Sequence, residues 1–139
     1  MGIYRVEIPF KLPSCNQYIN ECRRNKYAGA KMKKDIQEQI SVYIKQIPRI
    51  DKPVKINFIW VEDNKRRDLD GICFAKKFIL DALVNAGVLA DDNRKIVTNF
   101  TDSFGYSNKS KVIVELEEIW IYTFISFKKR RTRFCKYRY

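Results

Sequence analysis

Val54-Lys-Ile-Asn-Phe-Ile-Trp-Val61, then Glu62-Asp-Asn-Lys-Arg-Arg-Asp-Leu-Asp70, then the run from Ile72 to Ala86: these consecutive segments decide the fold class. In the first, Val54, Ile56, Phe58 and Trp60 alternate with Lys55, Asn57, Ile59 and Val61, the period-two pattern of a strand with one face on a core. The charged segment breaks that strand. In the third, Ala75, Phe78, Ile79, Ala82, Leu83 and Ala86 recur at helical spacing, and Gly87 suits a helix C-terminus. Toward the N-terminus, Tyr4, Val6, Ile8 and Phe10 alternate as a strand, with Pro9 favouring an edge or strand end. Lys11 to Tyr18 reads as a polar, proline-broken loop. Met32, Ile36, Ile40, Tyr43, Ile44 and Ile47 then place a helix over about Ala28 to Gln46, ended by Pro48. Toward the C-terminus, Asp91-Asp-Asn93 is a turn, and Lys95 to Thr101 and Lys111 to Ile119 read as strands joined around Gly105, which points to a hairpin. The expected fold is a small mixed α/β (α+β) domain with a sheet of about four strands and two main helices.

The chain has 139 residues, 28 Lys+Arg against 16 Asp+Glu, a net charge of +12 and no histidine. Its length is that of one domain, and its 45% hydrophobic content is enough for a single core. Without histidine there is no Ser-His-Asp triad, Cys-His nucleophile or imidazole base, so any catalysis runs on carboxylates, lysine, hydroxyls or thiols. Cys15, Cys22, Cys73 and Cys135 form no CxxC pair and read as free thiols. Met1 to Phe10 lacks the apolar block of a signal peptide, and the longest apolar stretch, Ile119 to Phe127, falls short of the roughly 20 residues that span a bilayer. The expectation is a cytoplasmic protein that is not secreted and has no membrane partner. Residues 119–139 form an aromatic and basic C-terminal extension: Lys128 to Tyr139 holds seven basic residues and no acidic one, interleaved with Phe134, Tyr137 and Tyr139. Such a run suits phosphate clamping and base stacking as well as a solvated terminus.

A chain this basic attracts polyanions, because each Lys or Arg on a phosphate releases counterions. The informative residues are the acids it keeps. Asp68 and Asp70 stand two apart after Arg66-Arg67, and Asp91-Asp92 follows the helix that begins just beyond Asp70. About 15 helical residues carry the chain roughly 20 Å, so Asp92 meets Asp68 and Asp70 only through tertiary packing or across a dimer. Gathered together, three carboxylates repel and require a hard cation. Mg²⁺, for which Mn²⁺ can substitute, takes oxygen ligands and shares its shell with phosphate, and metal ions held by carboxylates hydrolyse phosphodiesters without histidine. Lys77 lies seven residues after Asp70, on the same helical side after two turns, where it can meet a scissile phosphate. The same DxD and Asp-Asp-Asn segments also read as a salt-bridged loop and an ordinary turn.

Arg66-Arg-Asp-Leu-Asp-Gly71, Lys77-Phe-Ile-Leu-Asp-Ala-Leu83 and Ala86-Gly-Val-Leu-Ala-Asp-Asp92 together resemble the RusA family of Holliday junction resolvases. That family's pattern is Asp-x-Asp-Asn, Lys-x-x-x-Asp-Ala-Leu, a glycine turn, and Asp-Asp before a strand. Pro13-Ser-Cys-Asn16 resembles the family's N-terminal Pro-x-x-x-Asn loop, which adds Asn16 to the candidate DNA contacts. Residues 1–118 would form the endonuclease domain. The resemblance implies a homodimeric, Mg²⁺-dependent endodeoxyribonuclease that resolves four-way DNA junctions by paired symmetric cuts in recombination and repair. Asp68, Asp70 and Asp92 match its metal-binding catalytic aspartates and Lys77 its active-site lysine, with Lys76 a rival and the Asp91-Asp92 doublet ambiguous in register. Gly71 departs from the usual Asn. Lys65, Arg66 and Arg67 near the site, and Arg23, Arg24, Lys31, Lys33 and Lys34 at the helix entrance, are the expected backbone contacts. The alternative is a non-catalytic protein that binds branched nucleic acid and carries a degraded metal site.

Overall fold

In the computed structural model, which describes residues 2–119, the chain runs β1 (Ile3–Ile8), α1 (Cys15–Arg24), α2 (Ala28–Ile44), β2 (Val54–Glu62), α3 (Leu69–Cys73), α4 (Lys76–Asn85), β3 (Val97–Tyr106) and β4 (Lys111–Glu118). The C-terminal extension, Ile119 excepted, lies outside the described residues, and Cys135 with it. The four strands form one mixed sheet in the order β1-β4-β2-β3, with β2 antiparallel to β4 and parallel to β3. The mixed α/β class expected of the sequence is therefore the one observed.

Alternation along β2 explains its central place. Val54, Ile56, Phe58, Trp60 and Glu62 are all buried, while the intervening side chains are half-buried on the other face. Val112, Val114 and Leu116 of β4 stand opposite Trp60, Phe58 and Ile56, and Val6 and Ile8 of β1 continue the same apolar face. Ile40 and Ile44 of α2 and Phe78, Ile79, Ala82 and Leu83 of α4 join that face in one core. Arg5–Glu115 and Lys111–Glu7 ion pairs bridge neighbouring strands on the sheet, a pattern suited to water.

The expected hairpin between the last two strands is not formed, because β2 lies between them. Alternation marks a strand but not its partner. The four-residue link steps over the end of β2 and is tied to it: Ser107 N donates to Glu62 O at 3.0 Å, and Asp63 N donates to Ser110 Oγ at 3.2 Å. The expected loop from Lys11 to Tyr18 gives way to α1 at Cys15. Ser14 caps this helix by accepting from Gln17 N while Gln17 Oε1 accepts from Ser14 N, a reciprocal box spelled out by Ser-x-x-Gln. The single helix expected from Ile72 to Ala86 is divided. Ala75 N, Lys77 N and Phe78 N donate to carbonyls three residues back, which tightens the turn between α3 and α4. Phe74 and Phe78 both pack against Tyr18 at this junction.

Leu83 is fully buried whereas Val42 is 65% exposed, so truncating each to alanine should have unequal effects. Leu83→Ala should lose about 2–5 kcal/mol in urea unfolding and Val42→Ala less than about 0.5. Equal losses would contradict this packing.

Candidate active site

The charged segment after β2 is shaped by a buried carboxylate. Glu62 is 4% exposed at the inward end of the strand. Arg67 answers it through Nε, at 3.1 Å from Oε1, and through a second, Nη2 contact to the same oxygen, while Nη1 donates to Leu12 O at 2.8 Å. Among the described residues the other oxygen, Oε2, accepts no hydrogen bond, and it faces Lys11 Nζ at 3.4 Å. One guanidinium thus fastens the loop after β1 to the end of β2. Lys11 also donates to Asp63 at 3.0 Å, and that contact holds the Asp63 carboxyl below its ordinary pKa.

From this anchor the chain turns into α3. Arg66 N donates to Asn64 Oδ1, an Asx turn that leaves the Arg66 side chain exposed. Asp68 takes the N-cap position with extended backbone, yet its carboxylate makes no capping hydrogen bond and stays exposed. Asp70, one residue into the helix, accepts from Gly71 N at 2.9 Å. A side chain added at Gly71 would meet open space, so this departure from Asn is not imposed by packing.

The two lysines at the head of α4 diverge. Lys76 donates to Asp102 Oδ2 at 2.8 Å and lies over the Phe100 and Phe58 rings at 4.7 and 5.3 Å, where Trp60 Nε1 donates to the other Asp102 oxygen. Lys77 faces the opposite way, 3.1 Å from Asp81 Oδ1 and 3.6 Å from Asp92 Oδ2. The hydrogen bond to Asp81 does most to raise its pKa; burial opposes it, and the charges of Asp81 and Asp92 add to the rise. The aspartate doublet divides as well. Asp91 turns back on its own loop, accepting from Asp92 N at 2.7 Å and Asn93 Nδ2 at 2.9 Å, and its pKa falls for that reason. Asp92 is left facing Lys77.

Lys77, Asp81, Asp91 and Asp92 line one wall of an open groove of about 470 Å³, and Lys33, Lys34 and Gln37 of α2 line the other. Arg24 and Lys31 border a different groove between α1 and α2, with Arg24 also paired to Glu21 at 3.4 Å. Arg23 and Asn16 are exposed on α1. Lys65 lies 5.1 Å from the Tyr106 ring centroid. Asp81, Glu62 and Lys11, which the sequence did not single out as functional residues, prove to be the acids and base that organise this region. Asp81 had two visible signals, its i,i+4 spacing from Lys77 and its place in the Lys-x-x-x-Asp-Ala-Leu pattern.

Among the described residues no three Asp, Glu, Cys or His side chains stand close enough together to hold a metal ion. Asp68, Asp70 and Asp92 are therefore not gathered into one coordination shell. Their donor chemistry suits Mg²⁺, which binds through oxygen and is often held by only one or two carboxylates with waters completing the shell. Asp68 and Asp70 offer such oxygens in the open. No protein-family model matches the chain, and no curated protein matches it.

With its side chain 18% exposed against 6% for Glu62, Arg67 is a fastener in this chain. Arg67→Ala should cost about 3–5 kcal/mol, because it leaves the buried Glu62 with only the more distant Lys11 to answer it. Arg66→Ala should leave the urea midpoint unchanged. A neutral Arg67→Ala would show that Glu62 is not held in this way.

Proposed function

We propose that the chain is a Mg²⁺-dependent, structure-specific endodeoxyribonuclease of the RusA type that resolves four-way DNA junctions as a homodimer. The observation that carries this reading is the meeting of Lys77 with Asp92 on one wall of the α2–α4 groove, with the α2 lysines on the facing wall. These residues lie far apart in sequence and belong to two different pieces of the resemblance. Lys76, the rival, is committed to Asp102.

The basic groove suits a DNA backbone. Lys33 and Lys34 on α2 would take phosphate oxygens, which positions the strand without reading its sequence. Lys77, whose pKa is raised and which is charged at neutral pH, would stand against the negative charge that develops on the phosphodiester. Asp68, Asp70 and Asp92 would hold the divalent ion, which when bound supplies charge stabilisation and an activated water. The ion would also remove the repulsion that opposes bringing these carboxylates together. In a two-fold dimer the same groove occurs twice, which suits two equivalent cuts in a pseudo-symmetric junction.

A second reading, a branched-DNA-binding protein without cleavage activity, is favoured by one observation: the three aspartates are not gathered among the described residues. A labelled mobile four-way junction separates the two. In Mg²⁺ the wild type should give paired symmetric nicks and leave linear duplex intact. Asp70→Asn should bind the junction in Ca²⁺ as wild type does but cut it about 100-fold more slowly or worse. Tight binding by wild type without cutting in Mg²⁺ or Mn²⁺ would replace the nuclease by the binding protein.

A further inference from the structure

We infer that Asp81 is a positioning residue that holds Lys77 and Lys33 together at the groove, a role that rests on the nuclease reading of the same site. The geometry is that of a carboxylate shared by two ammonium groups from different helices. Asp81 Oδ1 lies 3.1 Å from Lys77 Nζ, and Oδ2 lies 2.8 Å from Lys33 Nζ. Both cations are thus within hydrogen-bonding reach of one carboxylate on the wall of the groove that also contains Asp92.

Asp81 is itself fixed. Its side chain is 18% exposed, and Gln37 Nε2 donates to Oδ2 at 3.5 Å. Gln37 is oriented in turn by Asn85, whose Nδ2 donates to Gln37 Oε1 at 2.9 Å. A chain of side chains across α2 and α4 therefore sets the carboxylate before any ligand arrives. Burial alone would raise the Asp81 pKa, but the two lysines outweigh it and hold the group ionised, below the ordinary range.

This matters because Lys77 is 55% exposed on a flexible four-carbon stem. Left alone, it would sample many rotamers, and its ordering on a phosphate would cost entropy at each encounter. Asp81 orders it in advance. The same contact restrains Lys77 from settling fully onto Asp92, which keeps that carboxylate open toward a cation.

Asp81→Asn and Asp81→Glu, made in wild type and in Lys77→Ala, test this in the full chain. Nitrogen-15 NMR of lysine ammonium groups should show an ordered Lys77 signal in wild type that disappears in Asp81→Asn and returns in Asp81→Glu. The single-turnover rate on a saturated junction should fall roughly 10- to 100-fold in Asp81→Asn, with no loss of junction affinity in Ca²⁺. Asp81→Glu should recover part of that rate. In the Lys77→Ala background Asp81→Asn should cost clearly less than in wild type, because the part of its effect that passes through Lys77 is already gone and only its hold on Lys33 is left. An unchanged Lys77 signal, or an equal rate loss in both backgrounds, would overturn the positioning role and leave the nuclease intact. The expected ammonium signals with no cleavage by wild type would leave the charge network standing but overturn the nuclease reading and the catalytic part of this inference.

Discussion

Parallel pairing of β2 with β3 is the constraint on which the rest of the molecule depends. A parallel partner cannot be reached by a tight turn, so the chain leaves the sheet at Glu62 and crosses over through α3 and α4. It re-enters at Val97 beside Val54. The crossover buries Phe78, Ile79, Ala82 and Leu83 against the sheet and turns the polar face of α4 toward α2. The groove is the outcome. It also follows that the acidic pair 68–70 sits where the crossover departs and the doublet 91–92 just before it returns, so no short connection gathers them.

Charge is distributed in two ways within this frame. Some acids are tied to cations: Glu62 to Arg67, Asp63 to Lys11, Asp81 to Lys33 and Lys77, Asp102 to Lys76. These fasten loops, helices and strand together, and the buried carboxylate of Glu62 is tolerable because the half-buried Arg67 is paired with it. Asp68 and Asp70 are different, being exposed at the start of a helix with few internal obligations. In a chain with a net charge of +12, carboxylates left open in this way are the residues to which a divalent cation would be drawn.

Much of the fold was legible because alternation and helical periodicity are local properties. β1, β2, β4 and α2 lie close to where their apolar positions place them. Pairing was not legible, since strands read over Lys95 to Thr101 and Lys111 to Ile119 fit a hairpin as well as two strands flanking β2. The α1 helix was legible in principle, through Ser14 and Gln17, but Pro13 and the polar composition pointed to a loop. In the site, the sequence identified candidate acids and lysines, whereas the facing of each depends on tertiary packing. Lys76 and Lys77 are adjacent and chemically identical, and only the Phe58, Phe100 and Asp102 surroundings separate them. Arg67 looked like a DNA contact because the alternation that continues to Glu62 shows which face that carboxylate takes but not that Arg67 folds back onto it. Asp81 is an ordinary helix-surface acid until α2 lies against it.

The central claim is that a basic groove and two separated acidic segments serve one cation-dependent site. It is tested most directly by titrating the nitrogen-15-labelled protein with Mn²⁺ and following paramagnetic broadening of backbone amides. The account predicts that signals from residues 68–71 and 91–93 broaden together at the lowest Mn²⁺ concentrations, and that Asp70→Asn abolishes both effects. Broadening confined to one segment, or spread first over surface acids such as Glu117 and Glu118, would contradict it.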